Sequence, residues 1–305
     1  MRQKTKPLTL IMTIVSLATL WATTLMAQET IDQPLKAVVS LDKGTFLINE
    51  AIWLTIVIQN VSQDKILGAS ADPMSGRVRI DVVSANGDTL YGGCIIGTAV
   101  GTPPTLEPGE KDLYFVDLVG SICNYGVENE DALHYGRLLP EGEYHVQVVV
   151  RFSDRETAAD ALSNKVDFEV AKPEGKEKEA YDLLVKGNKK CYPEKKWDEG
   201  RQIIRKMIAE YPNSVYQDAA LLLVPSRFND EETALRFIED RPNSGLAPSV
   251  ILWTIPGSGK ATERKRFLEE IAQNHPNTKA GMYAQNRLDK WRRGKIWHNE
   301  PMPED

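Results

Sequence analysis

Gly257-Ser258-Gly259-Lys260 has the composition of a phosphate loop, in which glycine amides cradle phosphate oxygens and the lysine neutralises them. That motif needs a glycine five residues before Gly259 and a hydroxyl residue after the lysine. Thr254 and Ala261 stand there, and no strand precedes the segment, so it reads as a linker between helices. Cys123 and His134 are conceivable as a nucleophile and its base, but nothing around them activates a thiolate, and a disulfide would abolish the pair. The stretch Gly120–Arg137 offers Asn124, Tyr125, Glu128, Glu130, Asp131, His134 and Tyr135 as ligands for calcium or zinc. Their spacing follows neither an EF-hand nor a zinc finger, and the stretch reads as a solvated acidic loop. There is no Gly-x-Ser-x-Gly elbow and no His-Glu-x-x-His helix, and His134, His145, His275 and His298 stand apart. The sequence therefore offers no complete catalytic set, and neither a metal nor a cofactor is expected.

Two further groups of residues are candidates for binding and bracing. Cys94 and Cys123 fall in the same expected domain and are the candidate disulfide, which would tie the long loops Gly92–Glu107 and Gly120–Arg137 together. Cys191 would then be the odd thiol. The other reading makes all three small buried hydrophobes. Near the C-terminus, Arg287, Lys290, Arg292, Arg293 and Lys295 cluster with Trp291 and Trp297. Arg287, Trp291, Arg292 and Arg293 are the candidates for docking an acidic partner. The alternative is favourable placement of cations at a helix end with an apolar cap.

The ends of the chain bound where these groups act. Arg2, Lys4 and Lys6 precede an uncharged, largely apolar run from Pro7 to Ala27, and polar residues resume at Gln28. This is the pattern of a signal peptide over residues 1–27, which implies a periplasmic or secreted protein. A retained anchor is the alternative, since the run is about long enough to span a bilayer. No other segment is. Removing residues 1–27 takes away three of the 37 basic residues and none of the 43 acidic ones, so the formal charge falls from −6 to −9. Such a chain disfavours nucleic acid and anionic membrane as partners.

From Leu35 to Val170 apolar residues recur with period two. Strands are expected at Ala37–Leu41, Ala51–Gln59, Arg77–Ser84, Asp88–Tyr91, Lys111–Leu118, Glu143–Phe152 and Lys165–Val170. Ala51–Gln59 is apolar on both faces, which predicts a central strand. Asn86-Gly87 predicts a tight hairpin turn, because both residues tolerate positive φ. About seven short strands without a helix predict an immunoglobulin-like β-sandwich over residues 28–172. Leu139–Tyr144 resembles the turn before a late strand of bacterial immunoglobulin-like domains, with Tyr144 packing at the corner. The strand ending in Asn60 and Ser62, the turn Pro108-Gly109-Glu110 and the strand start Gly142-x-Tyr144 resemble the intracellular proteinase inhibitor family. That resemblance implies a sandwich fold and, secondarily, inhibition through its loops.

After the polar stretch Ala171–Glu177 the period changes to 3.6. Pro212-Asn213-Ser214, Pro242-Asn243-Ser244 and Pro276-Asn277-Thr278 each follow one apolar-periodic helix and precede another. Proline ends the first helix, and the short polar side chains cap the next. Repeats of this length predict stacked helical hairpins over residues 173–297, with a disordered tail at 298–305. The Pro-Asn-Ser/Thr copies resemble the outer-membrane assembly and cell-division coordinator branch of tetratricopeptide proteins. That resemblance implies an α-solenoid whose groove engages a protein or peptide.

The sequence thus reads as an all-β immunoglobulin-like sandwich followed by an all-α tetratricopeptide-like solenoid. Its expected role is that of a non-enzymatic binding or scaffold protein of a bacterial envelope. The alternative is a secreted protease inhibitor acting through the sandwich loops. The partner and the oligomeric state stay open.

Overall fold

The computed structural model describes residues 33–73, 77–91, 105–118, 139–154, 157–192, 194–224, 231–254 and 261–293. Among them are eleven strands: β1 (Leu35–Leu41), β2 (Thr45–Leu47), β3 (Trp53–Asn60), β4 (Ile66–Leu67), β5 (Val78–Ser84), β6 (Thr89–Tyr91), β7 (Thr105–Leu106), β8 (Lys111–Asp117), β9 (Gly142–Asp154), β10 (Thr157–Leu162) and β11 (Val166–Ala171). Seven helices follow: α1 (Gly175–Cys191), α2 (Trp197–Glu210), α3 (Gln217–Leu222), α4 (Glu231–Asp240), α5 (Ala247–Thr254), α6 (Ala261–Asn274) and α7 (Lys279–Arg292). No helix among the described residues is long and apolar enough to cross a membrane.

The strands form two sheets. One is antiparallel, in the order β1-β3-β8; the other has eight strands organised around the long β9. Along one edge of β9 run β11 and then β10; along the other runs β5, with β4 beyond it. Between the pairs Leu162↔Val149 and Val166↔Val146, the three residues Ser163–Lys165 face only Gln147 and Val148. This is a bulge, and one extra residue reverses the facing of everything beyond it. Ala161 points into the core before the bulge, and Phe168 and Val170 do so after it, although their positions differ in parity. The Ser163 hydroxyl accepts from Val148 N at 2.9 Å, and the Gln147 side chain donates to Ser163 O at 2.8 Å, so side chains replace ladder bonds at the interruption. The hairpin expected at Asn86-Gly87 forms, with Gly87 at φ 86°.

The Tyr144 hydroxyl donates to Pro140 O at 2.7 Å, which closes the turn into β9. Asn60, fully buried, donates to Asp64 O and Leu106 O and accepts from Ser62 N. Its backbone also pairs with Gly109 and Glu110, so two of the short motifs read from the sequence meet at one corner.

Strand β3 explains the architecture. Leu54, Ile56 and Ile58 face the core between the two sheets, with Val146, Val148, Val150 and Phe168. Trp53, from the opposite face, lies with Ala51 and Phe115 in a second core made mainly by the helices, including Ala220, Ile238, Val250 and Tyr283. Helices therefore cover the second face of the small sheet at β3 and β8, while β1 leaves Lys36, Val38 and Ser40 exposed on that face. Apolar character on both faces of Ala51–Gln59 reports this helical cover.

The Pro-Asn copies are the turns of three helical hairpins, α2–α3, α4–α5 and α6–α7. Ser214, Ser244 and Thr278 each donate their backbone N–H to the residue three before, at 3.0, 3.0 and 3.1 Å. Ser214 and Ser244 hydroxyls accept from Tyr216 N and Leu246 N, and Thr278 caps α7 through Gly281 N. Successive turns touch: Arg241 donates to Pro212 O at 2.9 Å, and Ala280 N to Pro242 O at 3.1 Å.

The expected fold class is nevertheless overturned. In place of an all-β immunoglobulin-like domain followed by a tetratricopeptide-like solenoid, the described residues form a mixed α/β structure with a curled half-barrel sheet and seven helices. The described residues from Leu35 onward form one compact unit. The physical reason is where the apolar helix faces are spent. A solenoid repeat buries its face on neighbouring repeats alone. Here the Trp53 ring lies against the Gly245 backbone, its indole N–H donates to Asp218 at 3.1 Å, and the Tyr216 hydroxyl donates to Ile48 O at 2.9 Å. Helices α3 and α5 have six and eight residues, too short to wall a groove, and they serve to cover the sheet.

Candidate functional site

Of the basic residues singled out at the C-terminus, Arg287, Lys290 and Arg292 lie on α7 and Arg293 just beyond it, while Lys295, like Trp297, lies outside the described residues. Lys290 pairs with Asp112 and Arg293 with Glu110, and both carboxylate side chains are almost wholly buried. Asp112 also accepts from Ala71 N at 3.0 Å and Leu113 N at 2.8 Å; Glu110 accepts from Glu107 N at 2.8 Å. At the other end of α7, Lys279 pairs with Asp42. Arg292 is exposed and pairs with Asp289 of its own helix at 3.0 Å. Trp291 is half-buried against the helical core. Arg287 lies near Tyr114 and Tyr283, whose hydroxyls are pushed up chiefly by burial, with the Arg287 charge working against that shift. The acidic groups met by Lys290 and Arg293 thus belong to the same chain.

Cys94, Cys123, the loop Gly120–Arg137 and Gly257–Lys260 lie outside the described residues, as do residues 1–27 and 298–305. Cys191 is a free, buried thiol whose pKa is raised by desolvation. Among the described residues no group of three or more His, Cys, Asp or Glu is placed to hold a metal ion.

A different surface gathers charge, part of it paired and part not: the outer face of β5, β9 and β11. Alternation and register place its side chains in rows across the strands. The first row sets Glu143 opposite Glu169; the second, Val83, His145 and Asp167; the third has Asp81 opposite Gln147, with Lys165 beside them at the bulge. The fourth has Arg79 opposite Val149. Arg79 holds Asp81 through Nε and Nη2 at 3.0–3.1 Å, which raises the guanidinium pKa further. Glu143, Asp167, Glu169 and Lys165 make no ion pair among the described residues. Like charges directly opposite each other on a sheet are unfavourable, and Glu143 stands opposite Glu169 in this way, with both side chains exposed.

Two shallow hollows occupy this face and share His145. One, of about 480 Å³, is lined by Arg79, Asp81, Thr89, Gln147 and Lys165. The other, of about 450 Å³, is lined by Gly44, Ala85, Glu143, Asp167 and Glu169. Sequence reasoning placed His145 in a strand and went no further. The signal available was the alternation Glu143, His145, Gln147 against Lys165, Asp167, Glu169, but pairing those strands in register requires the bulge.

No family model and no curated protein matches the chain. Solved structures match parts of it. A Northeast Structural Genomics Consortium target is 15% identical, over 44% of this chain and 84% of its own, with a TM-score of 0.26. The sporulation control protein Spo0M from Bacillus subtilis is 11% identical, over 51% of this chain and 54% of its own, with a TM-score of 0.27. A beta-glucosidase from Listeria innocua in complex with laminaribiose is 13% identical, over 45% of this chain and 16% of its own, with a TM-score of 0.26. At such TM-scores these likenesses carry no argument about fold, activity or partner.

Proposed function

We propose that this is an exported, non-enzymatic binding protein of a bacterial envelope, which holds a protein partner on the outer face of β5, β9 and β11. Export rests on the basic start and the apolar run to Ala27. The observation that carries the binding reading is the set of exposed, uncompensated charges around His145, with Glu143 opposite Glu169. A partner that supplies cations there relieves a repulsion the free protein bears, so binding gains energy that other surface charges do not offer.

The test is affinity capture from the protein's own envelope extract, with the wild type beside a Glu143→Lys/Glu169→Lys variant whose circular dichroism is unchanged. A protein retained by the wild type and lost by the variant supports the reading. Identical retention by both removes this face from consideration.

A further inference from the structure

The four rows on this face are ordered by charge. From the Glu143–Glu169 end they carry two negative charges, then one at Asp167, then Lys165 beside Asp81, whose charge Arg79 of the last row neutralises, so that Lys165 is the cation left over. With two residues per row, the sequence of rows spans about 20 Å along the strands. A surface graded from acidic to basic along one axis is complementary to itself reversed. We propose that the occupant of this face is a second copy of the same chain, which rests on the reading that the face binds protein.

The symmetry follows from the gradient. A two-fold axis lying between the copies, and crossing the strands between the His145 and Gln147 rows, reverses the order of rows. Asp167 of one copy then opposes Lys165 of the other, and Glu143 and Glu169 meet the uncharged Val149 and Leu162 of the row that carries Arg79. An axis running along the strands would set each row on itself and bring four glutamates together. Only the first arrangement is an isologous contact without like charges in register. Lys165 suits the role because its side chain is exposed and, among the described residues, unpaired. The bulge at Ser163–Lys165 is what turns it to the outer face. The patch is small and polar, which places the dimer in the weak, salt-sensitive class.

Sedimentation equilibrium of the purified protein, at low and high salt, tests this. The expected result is a monomer–dimer equilibrium that weakens with salt. Lys165→Glu alone and Asp167→Lys alone should each weaken it about tenfold or more, since each sets like charges across both symmetric contacts. An equimolar mixture of the two variants should regain the dimer, because opposite charges then meet at both contacts. The carboxylate introduced at position 165 of one copy faces the ammonium introduced at position 167 of the other, and the native Asp167 faces the native Lys165. A wild type that stays monomeric overturns the proposal, as does a dimer indifferent to both variants. If the wild type is monomeric while both variants lose the protein captured from extract, the occupant is a different protein and the binding reading survives. If they retain it as the wild type does, both readings fall.

Discussion

Replacing Gly245 with alanine is expected to destabilise the protein by about 3 kcal/mol. A Cβ at this position would sit well inside van der Waals contact of Trp53 Cγ, Cδ1 and Cδ2. The ring has nowhere to go: Trp53 is 5% exposed and packed with Ala51, Phe115 and the helical core. Forcing an extra carbon into such a site costs about 1–3 kcal/mol. The ring cannot move without stretching its N–H bond to Asp218, a carboxylate that also accepts from the Ser244 hydroxyl at 2.7 Å. A hydrogen bond to a charged group is worth about 1.5–3 kcal/mol, of which a displaced ring loses part. Urea unfolding of wild type and variant measures the sum. Adding Trp53→Leu separates the causes, because a smaller side chain leaves room for the alanine. The double variant should then cost less than the two single variants together by about 2 kcal/mol. A Gly245→Ala loss below about 1 kcal/mol, or additive single variants, would refute the claim that Trp53 is clamped between β3 and the second Pro-Asn turn.

Two further outcomes follow from buried carboxylates. Asp112→Ala should cost about 3–5 kcal/mol in the same unfolding assay, because it removes the buried carboxylate that pairs with Lys290 and accepts from the amides of Ala71 and Leu113; a loss below about 1 kcal/mol would mean these groups find other partners. Burial raises the Glu50 carboxyl above its usual range, against the opposing pull of Lys43 at 2.6 Å and Leu47 N–H at 2.9 Å. A carboxyl raised on folding contributes stability that is present below its unfolded pKa and lost as pH rises through the folded value. Relative to the wild type, Glu50→Gln should therefore gain stability as pH rises above the ordinary carboxylate range of about 4, and a flat or opposite difference in urea midpoints would contradict this.

How much of this was legible in the sequence depends on the range of the interaction. The seven strands with clear alternation occur where the period-two pattern puts them, to within two residues at most ends. β2, β4 and β7 escaped because two or three residues carry no period. β10 escaped because Thr-Ala-Ala-Asp-Ala-Leu has small residues facing inward and a change of phase after it. The proline–asparagine turns were readable because their geometry comes from residues within three or four positions. The fold class was misjudged because the apolar stripes of the helices match a solenoid that buries them on one another as well as a layer that buries them on a sheet.

The sequence by itself determined the local grammar: a strand region, then a helical region, with Asn86-Gly87 and the three Pro-Asn copies as turns. Backbone sterics and amphipathic periods act over a few residues, and they are written there in full. Periodicity says that Trp53 is apolar-facing, but it does not say which surface covers it. Tertiary structure alone decided that Trp53 lies under Gly245, that Lys290 and Arg293 turn to Asp112 and Glu110, and that Glu143 stands opposite Glu169. Those pairings join positions far apart in the chain, and they are set by which layers can bury each other's apolar faces together.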